Sequence, residues 1–358
     1  MSEPNRDIPD IRAILKEAVQ TKSSDVFVVP GAPLTLKTDG LIVPSNGPSL
    51  MPDETFLLVR QIYDMAGRGM ETLTETGDDD FSLSMAQLGR FRCNAYKQRN
   101  SYAVVLRVMS FDIPAPEQFH IPPEIMQLAS FRKGLVLVTG AAGSGKSTTL
   151  ACLIDRINSE RQTHIITIED PIEFIYKHKK SIVSQREVAH DTMDYKTALR
   201  AALRQAPGVI LVGEMRDYET IHTALTAAET GQLVLATLHT MGAAKTIDRI
   251  IDIFPANQQQ QIRIQLSMLL RATVSQQLLP TLANDLYPAF EILVANSAVQ
   301  NMIRESKTHQ LDNVMASGTS QGMRTMDGDI ARLFAEGRIS RKTALLYAVY
   351  PDMLSRRL

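Results

Sequence analysis

Eight residues, Gly140-Ala141-Ala142-Gly143-Ser144-Gly145-Lys146-Ser147, have the types and spacing of a loop that wraps a phosphate. Glycines there let the backbone approach an anion closely, so that successive N–H groups can ring it. A helix opening at Ser147-Thr148 would aim its positive dipole end at the same anion. Lys146 would reach the β and γ phosphates as a point charge, and the Ser147 hydroxyl would take a Mg²⁺ coordination position. The implied ligand is ATP with its Mg²⁺.

Two apolar runs end in acids. Val209–Glu214 (VILVGE) reads as a strand whose Glu214 would lie beside the loop, on a neighbouring parallel strand. There it would hold Mg²⁺ through a water or polarise the attacking water. Ile165–Glu173 (IITIEDPIE) supplies Glu169 and Asp170. A carboxylate in reach of water in line with a γ-phosphate acts as general base or water positioner, and Glu169 is assigned that role. Asp170-Pro171 is expected to shape the turn.

Such groups need a rigid frame, and the chain supplies an alternating one. Gly134–Thr139, His164–Ile168, Val209–Val212 and Leu233–Thr237 are short apolar strands. Helices are expected at Thr148–Ser159, Tyr195–Arg204 and Thr220–Glu229, which gives a parallel sheet buried on both faces. Gln258–Leu279 places Ile262, Leu266, Leu269, Leu270, Thr273 and Val274 near one helical face. One more strand is expected at Tyr287–Val294, then helices at Arg324–Glu336 and Ser340–Tyr350.

The first hundred residues read differently. Ile8, Ile11, Ile14, Leu15 and Ala18 recur at helical spacing. Strands follow at Val26–Val29, Leu34–Lys37 and Leu41–Val43, punctuated by Pro30-Gly31, Pro33 and Asp39-Gly40. A helix at Asp53–Ala66 precedes antiparallel strands at Asp80–Met85, Gly89–Gln98 and Ser101–Met109. Phe111–Pro123 carries four prolines and suits a linker. The expected division is an α+β domain over 1–110, a Pro-rich linker over 111–123 and an α/β domain over 124–358 with a helical C-terminal extension.

Composition narrows the class. The chain has 358 residues, 38 Lys+Arg and 39 Asp+Glu, for a formal net charge of −1, which argues against bulk nucleic-acid binding. Met1–Asp10 is polar and Pro-containing, unlike a secretory leader. No stretch is apolar enough for membrane insertion. Cys93 and Cys152 supply neither a disulfide framework nor a four-cysteine zinc site, and both read as buried small hydrophobes. A soluble cytoplasmic protein is expected.

Gly140–Ser147, IEDPIEF (Ile168–Phe174), GEMRD (Gly213–Asp217) and LVLATLHT (Leu233–Thr240) together resemble the secretion-ATPase superfamily, the RecA-like hexameric motors of type II and IV secretion and type IV pili. Ser23–Gly40 and the strands GRFRCNAYKQR (Gly89–Arg99) and VLRVM (Val105–Met109) resemble its N-terminal PAS-like domain. Val299–Met315 (VQNMIRESKTHQLDNVM) resembles the helix motif of the pilus-retraction subgroup, the PilT-like ATPases. The absent zinc module and the start near the PAS-like domain point the same way.

The resemblance implies an ATP-hydrolysing hexamer at the inner face of the cytoplasmic membrane, working on an inner-membrane pilus platform protein, with other pilus ATPases as further partners. It implies pilus retraction and twitching motility as the output. It assigns Arg92 and Arg107 as arginine fingers and His239 as a nucleotide-state sensor. A transport motor of type IV secretion or conjugation, or an ATP-binding regulator with little turnover, would carry the same core. Three departures stand out: Ala141-Ala142 for the more usual Pro-Thr, Gln232 where many retraction ATPases have a second histidine, and Arg204–Gly208 (RQAPG) before the second acid-bearing strand.

Overall fold

Ile11, Ile14, Leu15 and Ala18 are buried along one side of helix α1, Ile11–Gln20, whose first turn is capped by the Asp10 carboxylate accepting from the Arg12 amide. The computed structural model describes residues 10–38, 40–85, 88–109 and 113–358. Ile8, Asp39, and Phe111 of the expected linker lie outside the described residues, as does nearly all of Met1–Asp10. Contacts divide the chain into two units, Met1–Asp112 and Ile113–Leu358.

The first unit is an antiparallel sheet of six strands. They are β1 (Asp25–Val28), β2 (Thr35–Thr38), β3 (Leu41–Pro44), β4 (Asp78–Met85), β5 (Gly89–Gln98) and β6 (Ser101–Met109), in the order β3-β2-β1-β6-β5-β4. Helix α2, Pro52–Ala66, joins α1 over the apolar face, where Leu58, Ile62, Phe81, Phe91, Cys93 and Leu106 pack together. A six-residue helix α3, Glu71–Thr76, was not legible in the sequence. β5 and β6 turn back at Arg99 and Asn100, both at positive φ (46° and 62°), the geometry a two-residue hairpin requires.

Strand alternation along β5 sends Phe91 and Cys93 inward and Arg92 outward; along β6 it sends Leu106 inward and Arg107 outward. The register pairs Arg92 directly with Arg107.

The second unit holds a seven-stranded sheet: β7 (Gly134–Thr139), β8 (His164–Glu169), β9 (Ile182–Glu187), β10 (Val209–Val212), β11 (Leu233–Leu238), β12 (Leu270–Pro280) and β13 (Leu286–Val294). Their order is β13-β12-β7-β11-β10-β8-β9, and every pairing is parallel except β12 with β13. All residues of β7, β10 and β11 are buried, as continuous apolar runs require when both faces are covered. After α4 (Pro123–Gln127), helix α5 (Lys146–Glu160) packs on one face. Helices α6 (Tyr195–Ala202), α7 (Tyr218–Glu229), α8 (Ala243–Asp252) and α9 (Ala256–Leu269) pack on the other.

One expectation is corrected. The single helical face over Gln258–Leu279 does not exist: α9 ends at Leu269, and Leu270, Thr273 and Val274 belong to β12, between β7 and β13. The polar Gln276 and Gln277 interrupt the apolar run that would have announced a strand; both are buried. The described part of the Pro-rich stretch packs on the second unit. Ile113 and Ile121 join the apolar cluster beside α5, and the Cys152 thiol donates to the Pro114 carbonyl at 3.3 Å.

The C-terminal extension comprises α10 (Ser297–Arg304), α11 (Leu311–Ser317), α12 (Met326–Ala335), α13 (Arg341–Tyr347) and α14 (Pro351–Ser355). Asp329 of α12 is fully buried and accepts from Arg324 Nη1 (2.7 Å), Arg332 Nε (2.8 Å) and the Phe290 amide of β13 (2.9 Å). Truncating it strands two guanidinium groups and an amide. Asp329→Ala should lower unfolding free energy by about 2–4 kcal/mol in urea titrations, a cost moderated because both arginines are partly solvated.

Candidate functional site

β7 ends at Thr139, and the phosphate loop turns directly beneath the edge of β12. Gly140 sits at φ 142°, and a Cβ there would fall 2.2 Å from the Gln276 carbonyl oxygen. A side chain at Gly145 (φ 88°) would meet Gln276 Nε2 at 2.8 Å. Backbone cannot yield to the first contact, so glycine is obligatory at Gly140. The Gln276 amide in turn accepts from Thr149 Oγ1 of α5 at 2.8 Å, and Thr139 Oγ1 meets Ser275 Oγ at 2.6 Å. These β12 residues were invisible to motif reading; the only local signal was the β-branched Thr273-Val274 pair.

Helix α5 opens at Lys146, and Lys146 Nζ donates to the carbonyls of Gly140 (2.9 Å) and Ala141 (2.8 Å). Burial pulls the Lys146 ammonium below its ordinary pKa, partly offset by the carboxylates of Glu214 and Glu173. Ser144 Oγ is buried with no hydrogen-bond partner among the described residues. An ammonium in the loop, a helix N-terminus and an orphaned hydroxyl form a cradle suited to a polyphosphate.

Sheet order changes the expected position of Glu214. Its strand β10 does not neighbour β7; β11 lies between them. At about 4.8 Å per strand, the acid-bearing strand end is roughly 10 Å from the loop strand, a gap with room for phosphate and water. Glu214 Oε2 contacts Arg216 Nη2 at 2.7 Å and His239 Nε2 at 3.2 Å. Burial pushes the Glu214 carboxyl up, but these two partners outweigh it and hold the group below the usual range. His239 itself stands just past the end of β11, half exposed.

Glu169 closes β8. It is buried, with Oε1 accepting from Thr167 Oγ1 at 2.6 Å and Gln185 Nε2 at 3.4 Å. Burial raises its pKa to about 7, against the lowering effect of both donors. Asp170-Pro171 is a cis peptide in the loop that follows. Gln232 stands before β11, at the opposite end of that strand from His239.

Lys146, Ser147, Thr148, Glu169, Glu214 and His239 thus line one cleft of roughly 370 Å³. Arg92 and Arg107 are on the first unit, exposed side by side; Arg92 lies 3.9 Å from Asp80, and Arg107 donates to Asp25 at 3.1 Å. Sequence reading missed Gln276, Ser275, Thr167, Gln185 and Arg216. Among the described residues no cluster of three or more His, Cys, Asp or Glu side chains could hold a metal alone. A hydroxyl from Ser147 and a carboxylate from Glu214 suit Mg²⁺ arriving with phosphates, because that ion keeps its waters and takes few protein ligands.

A phosphate loop on a central parallel strand, with one strand inserted before the acid-bearing one, defines a RecA-like P-loop NTPase fold, here with an N-terminal α+β domain. The chain belongs to the family described as type II/IV secretion system protein, matched over residues 5–326. It is 41% identical over 344 residues to the type IV pilus retraction ATPase PilT of Pseudomonas aeruginosa, covering 96% of this chain and 99% of that one. A twitching motility protein of Neisseria gonorrhoeae is 42% identical over 338 residues, 94% of this chain and 90% of that one. The crystal structure of the pilus retraction motor PilT with bound ADP superposes with a TM-score of 0.89 at 45% identity, covering 97% of this chain and 99% of that one.

A buried carboxyl whose folded pKa is raised contributes stability below its unfolded pKa and loses it as pH rises through the folded value. For Glu169 that window runs from about 4.5 to about 7. Glu169→Gln should therefore be more stable than the unaltered protein at pH 8, by on the order of 1–3 kcal/mol, with no advantage near pH 4.5. Denaturant titrations at the two pH values measure it.

Proposed function

We propose that this chain is the ATP-hydrolysing motor of type IV pilus retraction. The observation that carries the reading is the convergence of the phosphate loop, Glu169, Glu214 and His239 on one cleft, in a chain alike over nearly its whole length to a pilus retraction ATPase.

The loop amides from Gly140 to Gly145, Lys146 and the α5 N-terminus hold the phosphates, with Ser147 and Thr148 at the helix opening. Bound Mg²⁺ would supply charge neutralisation on the phosphates, and Ser147 and Glu214 are the residues that would hold it. Lys146 leaves the two loop carbonyls for phosphate oxygens, a better-paired environment for its ammonium. Glu169 orients and deprotonates the attacking water; a base near pH 7 suits that task. His239 reads the phosphate state through its contact with Glu214. Arg92 and Arg107 are the arginine fingers. Two exposed guanidinium groups in directly paired positions repel each other and so favour an incoming anion.

Among the described residues no helix is long and apolar enough to cross a membrane. Membrane work is therefore assigned to a docked platform protein, with the motor acting as a homohexamer at the inner face of the cytoplasmic membrane alongside other pilus ATPases.

Lys146→Ala should reduce steady-state MgATP hydrolysis by at least about a hundredfold with an unchanged circular dichroism melt. Arg92→Ala should cut kcat by about a thousandfold while ADP still binds. Undiminished turnover in Lys146→Ala would sink the site assignment.

A further inference from the structure

Glu169 ends a strand, next to a loop, where a long carboxylate has rotational freedom. Two side chains remove it. Thr167, two residues earlier on the same face of β8, is fully buried and donates to Glu169 Oε1 at 2.6 Å. Gln185 is the register partner of Thr167 on β9, and its Nε2 reaches the same oxygen at 3.4 Å. Gln185 also donates to the Phe174 carbonyl at 2.8 Å, and its Oε1 accepts from the Tyr176 amide at 2.9 Å. One amide therefore ties the carboxylate to the segment after β8, whose Asp170, Glu173, Phe174 and Tyr176 line the cleft.

We propose that Thr167 and Gln185 are positioning residues that fix the Glu169 carboxylate in the orientation that aims an attacking water. The inference rests on the assignment of Glu169 as the water-positioning base. Geometry drives it: both donors converge on one oxygen from two adjacent strands, and a misplacement of about 1 Å in such a group costs up to a hundredfold in rate. Among the described residues the side-chain hydrogen bonds of Thr167 and Gln185 run to Glu169, Phe174 and Tyr176 and not to the phosphate loop, so nucleotide binding and water positioning are separable here.

The test uses the full-length protein with MgATP under steady-state and single-turnover conditions. Gln185→Ala, at a half-buried position that should tolerate truncation, is expected to lower kcat about tenfold or more, with KM for ATP within about twofold. Thr167→Val should do the same and Thr167→Ser, which keeps the hydroxyl, should restore kcat. In a Glu169→Gln background, Gln185→Ala should lower single-turnover rates no further, because the group it positions is already disabled. A further drop in that background, or a Gln185→Ala variant with unaltered kcat, overturns the proposal while leaving Glu169 as the base. Full turnover in Glu169→Gln itself overturns the base assignment and this inference with it. Should Thr167→Val not fold, the Gln185→Ala comparison in the two backgrounds decides alone.

Discussion

The close passage of the phosphate loop over β12 is the contact on which the site depends. Gly140 lies so near the Gln276 carbonyl that no side chain fits between them. That approach lets a single buried strand support three parts of the site. Ser275 meets Thr139 at the root of the loop and accepts from the Gly242 amide after His239; Gln276 reaches Thr149 in the first turn of α5. The histidine loop, the phosphate loop and its helix are thereby referred to one rigid element. Rigid support of this kind holds hydrogen-bond donors in place before charge develops.

Electrostatics then divides the two acids. Glu214 lies between Arg216 and His239 and stays ionised, whereas Glu169 is buried with neutral donors and is raised to about 7. Two carboxylates in one cleft with opposite shifts are equipped for different work: one keeps its charge, and the other can take up a proton near neutral pH. The sheet order makes this separation possible. Because β11 intervenes between β7 and β10, Glu214 does not crowd the loop, and His239, just past the end of the intervening strand, can touch it.

Residues that act through a contiguous pattern were legible in the sequence, and residues that act across the fold were not. The phosphate loop, the strands that precede it and bear the acids, and both buried cysteines could be read because glycine spacing and apolar runs are local signals. The hairpin at Arg99-Asn100 was equally local. β12 reads as helix in the sequence because Gln276 and Gln277, which work as buried hydrogen-bonding groups, look like a polar interruption there. Thr167 and Gln185 escaped for a related reason. Neither belongs to a motif, and what joins them is a parallel register across two strands. β9, which carries Gln185, has three consecutive half-buried polar residues, Ser184 to Arg186, and no continuous apolar run. Glu214 was recognised, but its distance from the loop depended on strand order, which no single strand encodes.

Register also explains a cost carried by the first unit. Arg92 and Arg107 are directly opposed on β5 and β6, a placement that like charges oppose. Swapping either with an inward neighbour would bury a guanidinium among Phe91, Cys93 and Leu106, so the alternation that builds the core also fixes both on the outer face. Asp25 and Asp80 relieve each arginine separately, yet Asp25 is nearly buried while both arginines remain largely in solvent. The Arg92–Asp80 contact, open to solvent on both sides, holds weakly, by about 0–1 kcal/mol. Arg107, in contrast, is held by a nearly buried carboxylate, so its displacement from Asp25 costs more than that of Arg92 from Asp80.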